Sequence, residues 1–274
     1  FMREISTLCS LNHPAILGFS GFSVASEVNP SFYICTEYMP NGSLGDVAGK
    51  PSFSPTKRTI NLIGVVAGMK YVHEKNVFHR DLKPDNVFLD DKFYPKIADF
   101  GLSRFVNEED AAVSCQLGTP FFMAPELFFT DTKITKAIDV YAFALVVLSL
   151  FDPKLRFQRG VKAPTNPVSL AQYIQKGFRY IIPSSIPQIY KDLIIQCWDT
   201  DPKERPTFAQ LYDMMTQTDD YILEGSDVDE VHQYIEFINN YRPTELDDAD
   251  AEEEEEDFEV PETKEFDFSI PDGI

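Results

Sequence analysis

The chain has 274 residues, 43% hydrophobic and 13% aromatic, enough to bury a sizeable core in one or two domains. Its net charge of -20 is unevenly placed: Asp247 to Ile274 holds 14 acidic residues and one lysine, a net of -13, leaving -7 on the first 246 residues. No basic patch is present to attract a phosphate backbone, which argues against nucleic-acid binding, and Cys9, Cys35, Cys115 and Cys197 are scattered without a CxxC, which argues against disulfides or zinc and for a reducing, cytoplasmic compartment.

FMREISTLCSLNHPAILGF opens on a helical pattern, with Glu4, Leu8 and Leu11 on one face and His13 and Pro14 as the stop, since proline disfavours helix in the residue before it. Glu4 is then either a first-turn acid left in water and favoured by the helix dipole, or an inward carboxylate that needs a cation. ILGFSGFSVA and PSFYICTEYM, rich in aromatic and β-branched residues, predict two strands around the SEVNP turn. PNGSLGDV predicts a helix start with Ser43 as N-cap and Asp46 completing a capping box. Ser54 and Pro55 start another helix through INLIGVVAGMKYVHEK, which is apolar nearly all round and therefore buried.

NVFLDDKFYPKIADF predicts a hairpin of two short strands about the DDKF turn, with an irregular segment following to about Glu126. From Lys136 the pattern is helical: a core helix on Val140 to Leu150, an amphipathic one near Ser169 to Gly177 and another over Pro187 to Trp198. VYAFALVVLSLF is too short to span a bilayer, so no membrane insertion is expected. In DVDEVHQYIEFINNY, Val231, Tyr234, Ile235 and Ile238 share one helical face, which predicts a helix docked on the body. DDADAEEEEED beyond it is low-complexity and self-repelling, hence expected to be disordered, either as a solvated tail or as a competitor for a basic partner. The fold class is α+β, a scrap of sheet followed by a mainly α-helical domain.

The hairpin lies between HRDLKPDN (His79 to Asn86) and DFG (Asp99 to Gly101). An antiparallel hairpin returns to where it began, so Asn86 and Asp99 should lie side by side, two oxygen donors suited to magnesium that also takes substrate phosphates. Asp81 and Lys83 come from the same loop: the acid can accept and orient an incoming hydroxyl, and the lysine can neutralise a transferred phosphoryl group. Acid, cation and metal platform together suit phosphoryl transfer, which needs positioning and charge neutralisation more than covalent chemistry.

At these residues the sequence resembles the eukaryotic protein kinase family, with HRDLKPDN, DFG and APE (Ala124 to Glu126) in order, and CWDTDPKERPTF looks like the tyrosine-kinase-like group. The resemblance covers roughly residues 1–215. It implies a protein-kinase-like fold with a partial N-lobe over 1–39, one αC-like helix and two strands, a mainly helical C-lobe over 40–215, a helical extension over 216–242 and an acidic tail over 243–274. It also implies ATP and Mg2+ as cofactors and protein substrates as partners. Carried over residue by residue, it makes Asp81 the catalytic base, Lys83 the phosphate-contacting lysine, and Asn86 and Asp99 the metal ligands. Thr36 matches the gatekeeper, the backbones of Glu37 and Met39 the adenine contacts, and Phe88 the residue beneath the ring. Glu126 and Arg205 match the ion pair that fastens the activation segment, Asp139 the acid that anchors the catalytic loop, and His79 and Phe100 belong to its two motifs.

Lys83 in HRDLKPDN and Thr119 in GTPFFMAPE are similar to serine/threonine rather than tyrosine kinases, so the expected acceptor is Ser or Thr. Arg80 wants an anion, either a phosphate, with Ser114 the first and Thr119 the second candidate phosphosite, or a carboxylate from Glu108, Glu109 and Asp110. The family's glycine-rich loop and VAIK-type lysine, the partner of the carboxylate matched by Glu4, do not stand before Glu4, where only Phe1, Met2 and Arg3 precede it. The expectation is therefore of a serine/threonine kinase whose first strands lie upstream, with little phosphoryl transfer by residues 1–274 alone. The alternative is a non-catalytic kinase-fold scaffold.

Overall fold

The computed structural model describes residues 5, 8–23, 33–102, 104–105, 119–128, 134–157 and 166–242. Ile5, Leu8 and Cys9 are helical, Ile5 and Leu8 are buried, and a turn follows at Ser10. The helix stops earlier than His13 and Pro14 would require, because the chain already folds back on itself. The Leu11 N–H meets the Leu8 carbonyl at 3.3 Å, and the His13 Nδ1 accepts the Ala15 N–H at 3.1 Å. β1 (Phe19–Ser23) and β2 (Tyr33–Thr36) pair antiparallel. β1 is shorter at its start than the sequence pattern suggested because the preceding residues take another partner: the Ile97 N–H donates to the Ala15 carbonyl and the Leu17 N–H to the Ile97 carbonyl, both at 2.8 Å.

α1 (Leu44–Val47) starts at the expected reciprocal cap, with the Ser43 N–H on Asp46 Oδ2 at 2.9 Å and the Asp46 N–H on Ser43 Oγ at 3.2 Å. α2 (Pro55–Glu74) starts one residue after Ser54, whose Oγ accepts the Lys57 N–H, and its proline needs no partner at that position. Ile60, Leu62, Ile63, Val65, Val66, Met69 and Val72 are all buried, so α2 is the central helix of the body. Each such side chain contributes roughly 1.5–3 kcal/mol relative to exposure.

β3 (Val77–Phe78), β4 (Val87–Leu89), β5 (Pro95–Ile97) and β6 (Arg104–Phe105) form two ribbons. β4 and β5 are the expected hairpin, with Val87 opposite Ile97 and Phe88 opposite Lys96. β6 pairs with β3 inside the stretch read from sequence as irregular, and 3-10 turns at Pro120–Phe122 and Pro125–Phe128 follow it. Two-residue strands and single turns carry no readable period.

α3 (Ala137–Phe151) buries every residue from Ile138 to Leu150 and packs on α5 (Gln188–Cys197), with α4 (Pro167–Gln175) between them in sequence. α6 (Phe208–Thr216) and α7 (Val228–Asn240) both pack on α2. Of the four residues expected on the docked face of α7, Val231, Tyr234 and Ile238 are buried and Ile235 is half-buried against the core. Among the described residues no helix is long and apolar enough to cross a membrane. Residues 243–274, for which disorder is expected, lie outside those described.

Candidate active site

Asp139, in the first turn of α3, is buried and organises the loop that precedes β4. Its Oδ2 accepts the His79 N–H at 3.0 Å and lies 2.9 Å from His73 Nε2, while its Oδ1 accepts the Arg80 N–H at 2.8 Å. Burial pushes this carboxyl up, but the hydrogen bond and charge of His73 together with His79 outweigh it and hold the pKa below the ordinary value. Arg80 has φ +70°, a left-handed conformation that costs about 1–3 kcal/mol for a residue with a Cβ, and the Asp139 contact offsets it. The Arg80 guanidinium lies 5.6 Å from the Phe78 ring. Ser114, Glu108, Glu109 and Asp110, which sequence reasoning offered as its phosphate or carboxylate partners, lie outside the described residues.

His79 is fully buried. Its Nδ1 accepts the Asp81 N–H at 3.3 Å, which leaves Nε2 to donate to the Ala98 carbonyl at 3.0 Å. Burial lowers its pKa against the opposing pull of Asp139, so the ring is neutral and serves as a hydrogen-bonded strut between the loop and the end of β5. Phe100, also buried, packs against it with ring centroids 4.9 Å apart.

Asp81 stands at the centre of a polar triangle. Its Oδ2 is 2.7 Å from Lys83 Nζ and 3.1 Å from Asn86 Nδ2, and its Oδ1 accepts the Thr119 N–H at 2.7 Å. Lys83 Nζ closes the figure by donating to Thr119 Oγ1 at 2.6 Å. Burial raises the Asp81 pKa, but Lys83 and Thr119 outweigh it and the net displacement is downward. The carboxylate is ionised at neutral pH and aimed by three fixed donors.

The hairpin brings Asn86 and Asp99 to one end of its ladder, as its antiparallel course requires: the Ala98 N–H donates to the Asn86 carbonyl at 2.9 Å. The two side chains sit differently. Asn86 is buried, its Nδ2 bound to the Asp81 carbonyl at 2.8 Å as well as to Oδ2, so its Oδ1 is turned away from the loop. Asp99 is exposed, at φ +63°. An oriented amide oxygen and an exposed carboxylate suit a hard divalent cation that fills its remaining positions with phosphate and water. Among the described residues no group of three or more His, Cys, Asp or Glu side chains could hold a metal unaided.

Thr36 ends β2 opposite Phe19 and is exposed. The next residue, Glu37, commits its N–H to the Gly18 carbonyl at 3.0 Å, and its carboxylate to the Gly18 N–H at 2.6 Å and Lys96 at 2.8 Å. That leaves the Glu37 carbonyl and the half-buried Met39 backbone as the contacts this segment offers to a ring. Phe88 shares a ladder face with Lys96, opposite the buried face of Val87, Leu89 and Ile97. Lys96 reaches Glu37 from that face, which places Phe88 on the side of the hairpin turned toward the Glu37 segment.

Arg205 and Glu126 meet as a bidentate pair at 2.6 and 3.0 Å, with both side chains buried. Arg205 also donates to the carbonyls of Asp199 and Ala137, so each of its three guanidinium nitrogens makes a hydrogen bond. Removing one partner of such a pair costs about 3–5 kcal/mol, because the other charge is left buried. Glu4 lies outside the described residues. His73 and Lys96 were missed from sequence: each is a lone residue whose partner, Asp139 or Glu37, lies far along the chain and in no shared motif.

The protein kinase domain model matches residues 1–215. Over 217 residues the chain is 32% identical to the dual specificity protein kinase shkB of Dictyostelium discoideum, an alignment covering 77% of this chain and 32% of that protein. It is 34% identical over 217 residues to serine/threonine-protein kinase 12 of Arabidopsis thaliana, covering 77% and 46%. It is 32% identical over 229 residues to the serine/threonine/tyrosine-protein kinase HT1 of Arabidopsis thaliana, covering 82% and 56%. The chain thus spans about a third to just over half of the length of these relatives.

Proposed function

Because the chain belongs to the protein kinase domain family, we propose that it carries the catalytic loop of a protein serine/threonine kinase, which moves the γ-phosphoryl group of ATP to a hydroxyl of a protein substrate. The observation that carries this reading is the Asp81, Lys83 and Thr119 triangle. Asp81 accepts a hydrogen bond from the incoming hydroxyl and orients it; with its pKa held down, it takes up the proton late, as the hydroxyl oxygen becomes bonded to phosphorus. Lys83 lies 2.7 Å from the same carboxylate and faces the transferred group with its positive charge. Asn86 Oδ1 and the Asp99 carboxylate are the oxygens that would hold Mg2+, which when bound neutralises charge on the nucleotide phosphates.

Thr119 acts as a positioning hydroxyl in this reading and not as a phosphosite. A phosphate on Oγ1 would displace the Lys83 contact and set a dianion against Asp81. The Ser/Thr preference rests on Lys83 and Thr119, and the names of the relatives support it while including dual-specificity enzymes.

Transfer from Mg-ATP to a Ser/Thr-containing protein, with a tyrosine-only polymer as comparison, tests the assignment in the 274-residue chain and in any longer in-frame product. Asp81→Asn is expected to lower transfer at least ~100-fold, in line with the contribution of a positioned acid or base. Activity that survives the substitution, or that favours tyrosine, overturns the assigned role or acceptor. Binding of partners without transfer in any product supports the scaffold alternative.

A further inference from the structure

The family match ends at residue 215, yet the chain beyond it is built into the body. The Leu223 N–H donates to Thr59 Oγ1 at 3.1 Å and the Asp227 N–H to Thr56 Oγ1 at 2.9 Å, both on α2. α7 then runs along α2, with Tyr234 seated over Gly64 and against Tyr94, and the chain arrives at Tyr241. The Tyr241 hydroxyl donates to Asn12 Oδ1. Its ring also meets His13 edge-on at 6.3 Å, and His13 stacks on Tyr71 of α2 at 5.1 Å.

Asn12 and His13 begin the loop that flanks β5. Ala15 accepts the Ile97 N–H and Leu17 donates to the Ile97 carbonyl, both on one side of β5, and Gly68 of α2 lets this loop approach, since a Cβ there would stand 2.8 Å from Ile97 Cδ1 and 3.2 Å from the Ala15 carbonyl. Asp99 follows two residues after Ile97. β5 is thus held by β4 on one side and by residues 15–17 on the other, and the second support is latched by Tyr241.

We propose that residues 219–241 form a strap whose last residue, Tyr241, is a positioning residue for Asp99, acting through Asn12, the 12–17 loop and Ile97. Only the role given to Asp99 rests on the kinase reading. Local opening of a hydrogen-bonded unit is read by amide exchange, a measurement that needs neither nucleotide nor metal and so stands or falls apart from that reading.

Hydrogen exchange and amide chemical shifts are compared in the full 274-residue chain, in Tyr241→Phe and in Tyr241→Ala. In Tyr241→Ala the amides of Leu17 and Ile97 are expected to exchange about tenfold faster, with the α3 amides of Leu145 to Leu148 unchanged and the Asp99 amide shift displaced. Tyr241→Phe, which keeps the ring against His13, is expected to fall between. No change at Leu17 and Ile97 overturns the proposal. So does an equal acceleration in α3, which is the mark of general destabilisation, or an unmoved Asp99 amide.

Discussion

At the scale of single residues, His13 shows how burial sets a pH response. Desolvation, with Lys96 and Lys70 nearby, pushes its pKa from 6.5 down to about 4. The unfolded chain takes up a proton near pH 6.5 while the folded one resists until about pH 4, so the unfolded state binds more protons in that window and stability rises with pH across it. His13→Asn retains an acceptor for the Ala15 N–H and removes the titration. Its unfolding free energy, from denaturant titrations, is expected to vary less than wild type between pH 4 and 6.5, by up to ~3 kcal/mol at the acid end before solvent screening reduces the figure. Nothing in the sequence marks His13 in this way, since its neighbours Tyr71, Lys70 and Lys96 come from distant segments. The neighbourhood of Asp81, Lys83 and Asn86 was legible because the three share one short motif, and the pairing of Arg205 with Glu126 because the family resemblance implied it.

Among the elements, the docking of α7 on α2 depends on one missing side chain. A Cβ at Gly64 would fall inside the van der Waals shells of Tyr234 Oη and Pro95 Cγ. In an isolated helix Gly→Ala would stabilise by up to about 1 kcal/mol. Here Gly64→Ala is expected to reverse that sign and destabilise by roughly 1–3 kcal/mol, through the strain of overpacking, as read from urea midpoints. The face of α7 could be read from sequence because its apolar residues recur at helical spacing over about two turns. α6 was overlooked although Thr207 and Gln210 form a capping box and Phe208, Leu211, Tyr212 and Met215 share a face. Its signal was hidden behind the motif that ends at Phe208. The pairing of β3 with β6 joins two dipeptides far apart in sequence, and no local pattern encodes such a contact.

For the whole molecule, the compact unit runs to Tyr241, whereas the family match stops at 215. Ending the chain at residue 215 strips Val231, Tyr234 and Ile238 from α2. Each of these burials is worth roughly 1.5–3 kcal/mol, a large fraction of the 5–15 kcal/mol typical of a domain. A chain ending at Arg242 is therefore expected to unfold cooperatively at a clearly higher Tm than one ending at 215, which should aggregate on heating; equal transitions by calorimetry would refute this. The latch between Asn12 and Tyr241 joins residues 229 apart. On a ribosome adding about 5–20 residues per second, Asn12 waits on the order of 10–45 s for its partner to be made. Residues 15–17 can pair with Ile97 early, but the latch on that support is among the last contacts the nascent chain can close, and termination between residues 100 and 240 yields a protein with its catalytic-loop residues and none of that latch.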